Sequence, residues 1–314
     1  YISLFITMKK SIIPSLILLS CMACHVPNDN SQNQKGYTPP AIKLSSDVMT
    51  PEVLWSFGRI GNVSVSPDGS KAVYDITYFN KEEDRGYSDL YLMNLPEGQT
   101  TRLTDTDYNE SDAGWTPDGK FITYLAKGQL WGMNPDGSNP RQVTDLPGRL
   151  NGSVSARDMS KIVYLKDVQL EPTVQDLYPD LPKAKARIVD DQFYRHWNDW
   201  VDAYTHLFIA DYVPAQPITT GKDIMEGERW ESPVRPWGGV EQLAWTKDGK
   251  KLIYTCRKKI GIDYAESTNT DLYAYNTENG ETVNLTEGMM GYDKNPVISQ
   301  WPVHGLGKYG KERL

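Results

Sequence analysis

Cysteine, phenylalanine and positive charge are all scarce in this 314-residue sequence. Of 3 cysteines only Cys256 lies beyond residue 24, so the body of the chain cannot form an internal disulfide. The net charge of -8, from 33 Lys+Arg against 41 Asp+Glu, argues against a nucleic-acid partner. A mean hydropathy of -0.54 excludes a protein with many membrane spans. In contrast, 25 Gly, 20 Pro and 19 Tyr beside only 6 Phe favour a turn-rich β protein.

The first 48 residues indicate export. From Met8 two lysines precede a short apolar run and then small residues, as in a secretory signal. Residues 18–21, Leu-Leu-Ser-Cys, fit a bacterial lipobox in which Cys21 is lipidated, with plain cleavage after Ala23 as the alternative. We therefore expect a signal over 1–24 and an exported protein, periplasmic or anchored to the outer membrane of a Gram-negative bacterium. Membrane contact is expected only through the lipid anchor. Residues 25–48, rich in Asn, Gln, Ser and Pro, predict a flexible tether.

A four-residue motif recurs along the rest of the chain. Ser-Pro-Asp-Gly at 66–69 returns as Thr-Pro-Asp-Gly at 116–119 and Thr-Lys-Asp-Gly at 246–249, with a weaker copy, Ala-Arg-Asp-Met, at 156–159. Short apolar stretches flank every copy. Pro presets φ, Asp caps loop amides and Gly adopts positive φ, so each copy predicts a hairpin turn.

The repeats predict blades of a β-propeller. Two further strand-like segments follow the hairpin in the clearest units, and the motifs lie 50 and then 40 residues apart. The next gap, 90 residues, is too long for one blade. We place its later strands at 161–168, 206–211 and 216–219, which leaves an insertion over 169–205 with helical spacing at 184–204. The predicted fold is all-β: an incomplete propeller of four-stranded blades over 49–299 with a partly helical insertion. Cys256 ends a strand-like run and is predicted to be buried.

Residues 193–200, Phe-Tyr-Arg-His-Trp-Asn-Asp-Trp, lead to His-Leu-Phe at 206–208. With the export signal and the repeats, this stretch resembles the N-terminal propeller of bacterial dipeptidyl peptidases and acylaminoacyl peptidases of the prolyl oligopeptidase family, over 49–299. The resemblance implies a propeller that gates peptide substrates for an α/β-hydrolase domain carrying Ser, Asp and His. Its parent enzyme would release dipeptides or acylated residues from peptide N-termini.

No G-x-S-x-G nucleophile motif occurs in the sequence. We therefore expect the α/β-hydrolase domain and the catalytic triad to be absent from this chain, and we assign no catalytic residue. The alternative is a non-catalytic TolB-like periplasmic propeller that binds a protein partner. The sequence carries no signal for oligomeric state.

The candidate substrate-binding residues are Arg195, Asp199 and Trp200. If they face the cavity between the propeller and the hydrolase domain, the carboxylate could pair with a substrate α-ammonium while the aromatic ring holds its side chain. The alternative is an insertion whose aromatic residues pack on the propeller. A second acidic cluster, Glu226, Glu228 and Glu231, is interpreted as a solvated loop.

Two motifs resemble a nucleotide-binding and a calcium-binding sequence, but neither is complete enough to predict a cofactor or a metal. Gly-x-Gly-x-x-Gly at 305–310 lacks the strand, helix and acidic residue of a nucleotide site. Residues 105–109 begin like a calcium loop, but Glu110 stands where that loop needs glycine. The blade pattern also fails after Ser299. With suitable codons, reading 300–314 one base later gives a blade-like sequence, so we predict that this tail is frameshifted.

Overall fold

The computed structural model describes residues 36–39, 41, 44, 46–189, 195–214 and 216–299. The predicted signal with Cys21, most of the tether and the tail at 300–314 lie outside these residues. In the described part, no helix is both long and apolar enough to cross a membrane.

Four antiparallel sheets of four strands form the described fold, as the repeats predict. Sheet 1 contains β1 (Arg59–Val65), β2 (Lys71–Asn80), β3 (Arg85–Asn94) and β4 (Thr100–Arg102). Sheet 2 contains β5 (Glu110–Trp115), β6 (Ile122–Ala126), β7 (Gln129–Met133) and β8 (Arg141–Gln142). Sheet 3 contains β9 (Gly152–Ser155), β10 (Lys161–Val168), β13 (Tyr204–Asp211) and β14 (Lys222–Asp223). Sheet 4 contains β15 (Leu243–Trp245), β16 (Lys251–Cys256), β17 (Asp271–Asn276) and β18 (Thr282–Asn284).

The shorter elements lie between these strands. The helices are α1 (Pro51–Ser56), α2 (Val174–Leu177) and α3 (Gly261–Glu266), with a 3-10 turn at Val240–Gln242. A separate two-stranded hairpin is formed by β11 (Arg195–His196) and β12 (Asp199–Trp200). No strand is assigned to residues 293–299, the last ones before the blade pattern fails in the sequence. The hairpin partner expected for that segment would lie beyond residue 299, outside the described range.

The recurring motif forms the first turn of every sheet. In the first copy the Asp68 carboxylate accepts hydrogen bonds from the Ser66 hydroxyl at 2.6 Å and the Ser70 amide at 3.0 Å. These bonds lower the pKa of Asp68 to about 2. The last residue of each motif has positive φ, which favours glycine: Gly69 at 73°, Gly119 at 70°, Met159 at 59° and Gly249 at 67°. The hairpin prediction is confirmed, including the weak third copy.

Three apolar cores join the sheets in chain order. Val73 and Leu90 of sheet 1 pack with Ile122 of sheet 2, and equivalent clusters join sheets 2 and 3 and sheets 3 and 4. The innermost strands are also tied by one repeated hydrogen bond. The indole of Trp115 donates to the Ser64 carbonyl at 3.2 Å, and that of Trp245 to the Val154 carbonyl at 3.0 Å. The four sheets therefore stack like consecutive blades, and no closed ring is seen in the part of the chain that the structure describes.

Sheet 3 corrects one predicted strand. Its fourth strand is Lys222–Asp223, not residues 216–219. Ile218 instead joins sheet 2, where its amide donates to the Val143 carbonyl and its carbonyl accepts from the Asp145 amide, both at 2.8 Å. Its side chain is 6% exposed in the core between sheets 2 and 3. Burial of Ile218 in that core explains why this segment lies along the neighbouring sheet.

The insertion lies in the loop of a long hairpin, because β10 and β13 pair continuously from Lys161↔Asp211 to Val168↔Tyr204. The expectation of helix at 184–204 is wrong for the described residues. In the described part of the insertion the only helix is the four-residue α2 (Val174–Leu177), which lies before this range, and residues 184–189 have no regular structure. Trp197 and Trp200, two aromatic residues of this range, belong instead to the hairpin β11–β12 and its turn.

Two polar residues with possible chemical roles are structural. Cys256 is fully buried and its thiol donates to the Glu231 carbonyl at 3.3 Å; burial raises the pKa of the thiol, as expected for a core cysteine. His206, part of the His-Leu-Phe stretch, is also fully buried. Its ring nitrogens lie 2.8 Å from the Asp223 carboxylate and 2.9 Å from the Glu228 carbonyl, so it fixes the third strand of sheet 3.

Candidate functional site

The three predicted binding residues all lie on the hairpin β11–β12, where Arg195 pairs with Trp200 and His196 with Asp199. Asp199 and Trp200 line a cavity of about 550 Å³, and Arg195 is not part of its lining. The Arg195 guanidinium lies 5.0 Å from the centre of the Trp200 ring and donates to the Asn198 carbonyl at 3.0 Å. The structure thus brings two of the three to the cavity and gives Arg195 contacts within the hairpin.

The cavity lies between the insertion, sheet 3 and the loop that precedes sheet 4. Among the described residues, its charged and titratable lining groups are three carboxylates, one guanidinium and one imidazole: Asp167, Asp199, Asp202, Arg235 and His196. Burial, together with the cations Arg257 and Arg235, lowers the pKa of His196. The imidazole is therefore neutral near pH 7, and the carboxylates outnumber the cation among the lining residues that the structure describes.

Two of the three carboxylates already form hydrogen bonds with other side chains of the protein. Asp167 accepts hydrogen bonds from the Thr205 hydroxyl at 2.7 Å and the Asn151 amide at 2.9 Å. Asp202 receives two charged hydrogen bonds from Arg187, at 2.9 and 3.0 Å, which lower its pKa. Both carboxylates have a defined structural partner.

Asp199 differs from the other two. It is exposed to the cavity, and it neither accepts a hydrogen bond nor forms an ion pair among the residues described. A carboxylate in this position can accept hydrogen bonds from an incoming cation without first losing a protein partner. Of the three described lining carboxylates, Asp199 is therefore the one that is available to a ligand.

A buried ion pair supports one side of the cavity. Glu231 is 4% exposed, and its carboxylate lies 2.8 Å from Nε of Arg235 and accepts from the Tyr264 hydroxyl at 3.2 Å. Arg235 also donates to the Ala203 carbonyl at 3.1 Å, which ties this loop to the start of β13. Burial raises the pKa of Glu231, while Arg235 opposes that rise.

The interpretation of the acidic cluster as a solvated loop is wrong for Glu231 and holds for the exposed Glu226. Glu228 is half-buried, and its backbone carbonyl contacts His206. The spacing of Glu231 and Arg235, four residues apart, was the available signal for an ion pair. It was missed because no local pattern marks the segment as buried.

A second cavity, also of about 550 Å³, lies within the insertion and shares Trp200 and Asp202 with the first. Arg187 lines this second cavity, with its guanidinium 4.4 Å from the centre of the Trp200 ring. Trp200 and Asp202 thus form the wall between the two cavities, and Arg187 contacts both of these residues from the side of the second cavity.

Curated relatives cover most of this chain, although no protein-family profile matches it. Over 296 residues it is 38% identical to dipeptidyl-peptidase 5 of Porphyromonas endodontalis, covering 93% of this chain and 42% of the relative. Over 266 residues it is 40% identical to dipeptidyl-peptidase 5 of Porphyromonas gingivalis, covering 83% and 39%. These matches support a dipeptidyl-peptidase-like protein. The chain spans about two fifths of the length of these relatives.

A solved structure supports the fold. Acylaminoacyl peptidase from Pyrococcus horikoshii superimposes with a TM-score of 0.51 at 15% sequence identity, over 74% of this chain and 33% of that one. At this identity the likeness concerns the fold alone. Together with the four stacked sheets, it supports a propeller-like arrangement of the described residues.

Proposed function

We propose that this chain is the substrate-gating propeller part of an exported serine exopeptidase of the prolyl oligopeptidase family that releases dipeptides from peptide N-termini. The similarity to two dipeptidyl peptidases over most of the chain carries the proposal. The signal-like N-terminus and the lipobox at Cys21 support export and anchoring in the periplasm.

The cavity beside Asp199 is the proposed binding site for the free amino terminus of the peptide. An enzyme that removes two residues at a time must recognise the chain end, and the distinguishing group there is an ammonium. Among the described residues, Asp199 offers a carboxylate without a protein partner, and the lining carboxylates outnumber the lining cations. A charge-assisted hydrogen bond to this group contributes about 1.5–3 kcal/mol.

The described residues bind and orient the substrate, whereas peptide hydrolysis needs a nucleophile, a base and oxyanion donors. In the proposed enzyme an α/β-hydrolase domain supplies those groups. The buried pair of Glu231 and Arg235 holds the cavity wall, and Arg187 holds the hairpin that carries Asp199. The propeller thereby fixes the ammonium and, with it, the distance to the scissile bond.

Calorimetry on the purified chain tests this proposal with alanyl-alanine amide and its N-acetylated form. We expect the free amine to bind and the acetylated peptide to bind at least tenfold more weakly, because acetylation removes the charge. Asp199→Asn should lower the affinity for the free amine by about tenfold and leave the acetylated peptide unchanged.

Asp180→Asn is the matched control, since Asp180 is exposed on the same insertion and lines neither cavity. Equal affinity for the free and acetylated peptides, or an unchanged affinity in Asp199→Asn, would contradict the proposal. Either result would favour the alternative, a non-catalytic propeller that binds a protein partner.

A further inference from the structure

Two tryptophans are unusually exposed beside the candidate site. Trp197 is 71% and Trp237 is 78% exposed, and their rings pack edge to face with centroids 5.6 Å apart and planes at 80°. Edge-to-face contact is a preferred geometry for an aromatic pair. Trp237 stands in the loop before sheet 4 and Trp197 in the insertion, so the pair joins two segments that are 40 residues apart in sequence.

The backbone at Trp197 is strained. Its φ is 56°, in the left-handed region that bulky residues rarely adopt, and it occupies the two-residue turn between His196 and Asp199. Asparagine or glycine is the usual choice at such a turn. Strain of this kind is concentrated at functional sites. A tryptophan at this strained position therefore indicates that its side chain has a function that compensates for the strain.

The pair lies at the rim of the cavity. Trp197 is flanked by the lining residues His196 and Asp199, and Trp237 by the lining residues Pro236 and Gly238. Trp197 and Asp199 are two residues apart, so their backbones are separated by at most about 7 Å. One amino-acid residue can span that separation from its ammonium to the end of a large side chain.

We infer that Trp197 and Trp237 form an apolar surface for the side chain of the peptide's N-terminal residue, so that the site selects peptides beginning with a large apolar or aromatic residue. This inference rests on the proposed function, because it places the peptide ammonium at Asp199. The two exposed rings provide the apolar contact area, and the carboxylate fixes the end of the peptide beside them. The pair therefore determines specificity, while Asp199 binds every free amino terminus.

The test compares phenylalanyl-alanine amide with glycyl-alanine amide by calorimetry on the full chain. We expect the wild type to bind the phenylalanyl peptide about tenfold more tightly, the effect of one apolar side chain in an apolar site. Trp237→Ala and Trp197→Asn should each reduce this ratio to about twofold, and Trp237→Phe should retain most of it. Trp197→Asn keeps a residue that tolerates the left-handed turn, so the hairpin should stay folded.

The control is Trp55→Ala, which removes an exposed tryptophan of α1 that does not line the cavity. Asp199→Asn should weaken both peptides equally and leave the ratio unchanged. A ratio unchanged in both tryptophan variants, with intact thermal melts, overturns the inference. A normal affinity in Asp199→Asn overturns the proposed function instead, so the two failures are distinguishable.

Discussion

The four sheets and the insertion between β10 and β13 are stabilised in different ways. Each sheet repeats the same turn, and its core side chains are almost fully buried between neighbouring sheets. In its described residues the insertion has one four-residue helix and one short hairpin, and several of its apolar side chains are exposed: Leu177, Tyr178, Leu181, Ile188 and Val189.

This difference shows where sequence change is tolerated. Many equivalent contacts stabilise the sheets, so their geometry depends little on any surface residue. A few charged and aromatic contacts define the insertion, among them the pair of Arg187 and Asp202. Binding groups on such a segment can change while the scaffold stays folded, which fits the usual division between rigid sheets and functional loops.

The largest effect is expected where the two regions meet. Arg235→Met removes the cation beside Glu231 and leaves a buried carboxylate without its ion-pair partner, which should cost about 3–5 kcal/mol of unfolding free energy. Burial already raises the pKa of Glu231, and the variant should raise it further. A protein in which folding raises the pKa of a carboxyl group loses stability as pH rises. The loss of unfolding free energy in the variant should therefore be smaller at acidic pH.

Urea denaturation across a range of pH measures this effect. The double variant Arg235→Met with Glu231→Gln is the control, since it removes the unpaired charge and should recover part of the stability. A deficit that is independent of pH and unchanged in the double variant would show that lost packing, not charge, explains the result.

A smaller effect separates the sheet core from the insertion. Leu207 is fully buried between sheets 3 and 4, so Leu207→Ala should lower the free energy of unfolding by about 2–5 kcal/mol. Leu181→Ala makes the same chemical change at a residue that is 51% exposed in the insertion, and should change stability by less than about 0.5 kcal/mol. If urea denaturation shows a similar loss of unfolding free energy in both variants, the sheet core and the insertion are not stabilised differently.

The smallest effect on global stability is expected at Arg187. Its exposed ion pair adds little to global stability, yet with the Trp200 contact it holds the segment 184–189. Arg187→Gln should leave the melting temperature nearly unchanged. A lysine-specific endoprotease should nevertheless cleave severalfold faster after the exposed Lys183 and Lys185, because local opening becomes easier.

Asp211→Asn is the matched control, since it breaks the surface ion pair with Lys161 at 2.8 Å on sheet 3. Its cleavage rate should equal that of the wild type. A cleavage rate in Arg187→Gln that equals the wild-type rate would show that other contacts hold the segment.

The sequence by itself determined the repeated hairpins, the four-strand units, the burial of Cys256 and the position of the insertion. Each of these depends on a few neighbouring residues: the turn needs only Pro, Asp and a residue with positive φ, and alternation marks the strands beside it. The assignment of Arg195, Asp199 and Trp200 to substrate binding came from the resemblance alone and stays a prediction.

Tertiary structure alone decided the rest. Ile218 joined sheet 2 because its side chain fits the core between two sheets. Glu231 is buried because Arg235 and Tyr264 meet it there, and Asp199 is the available carboxylate because Arg187, Asn151 and Thr205 occupy the other two. Most of these partners lie 14 or more residues apart in sequence. Contacts over such separations depend on how the sheets stack, and local propensity carries no information about them.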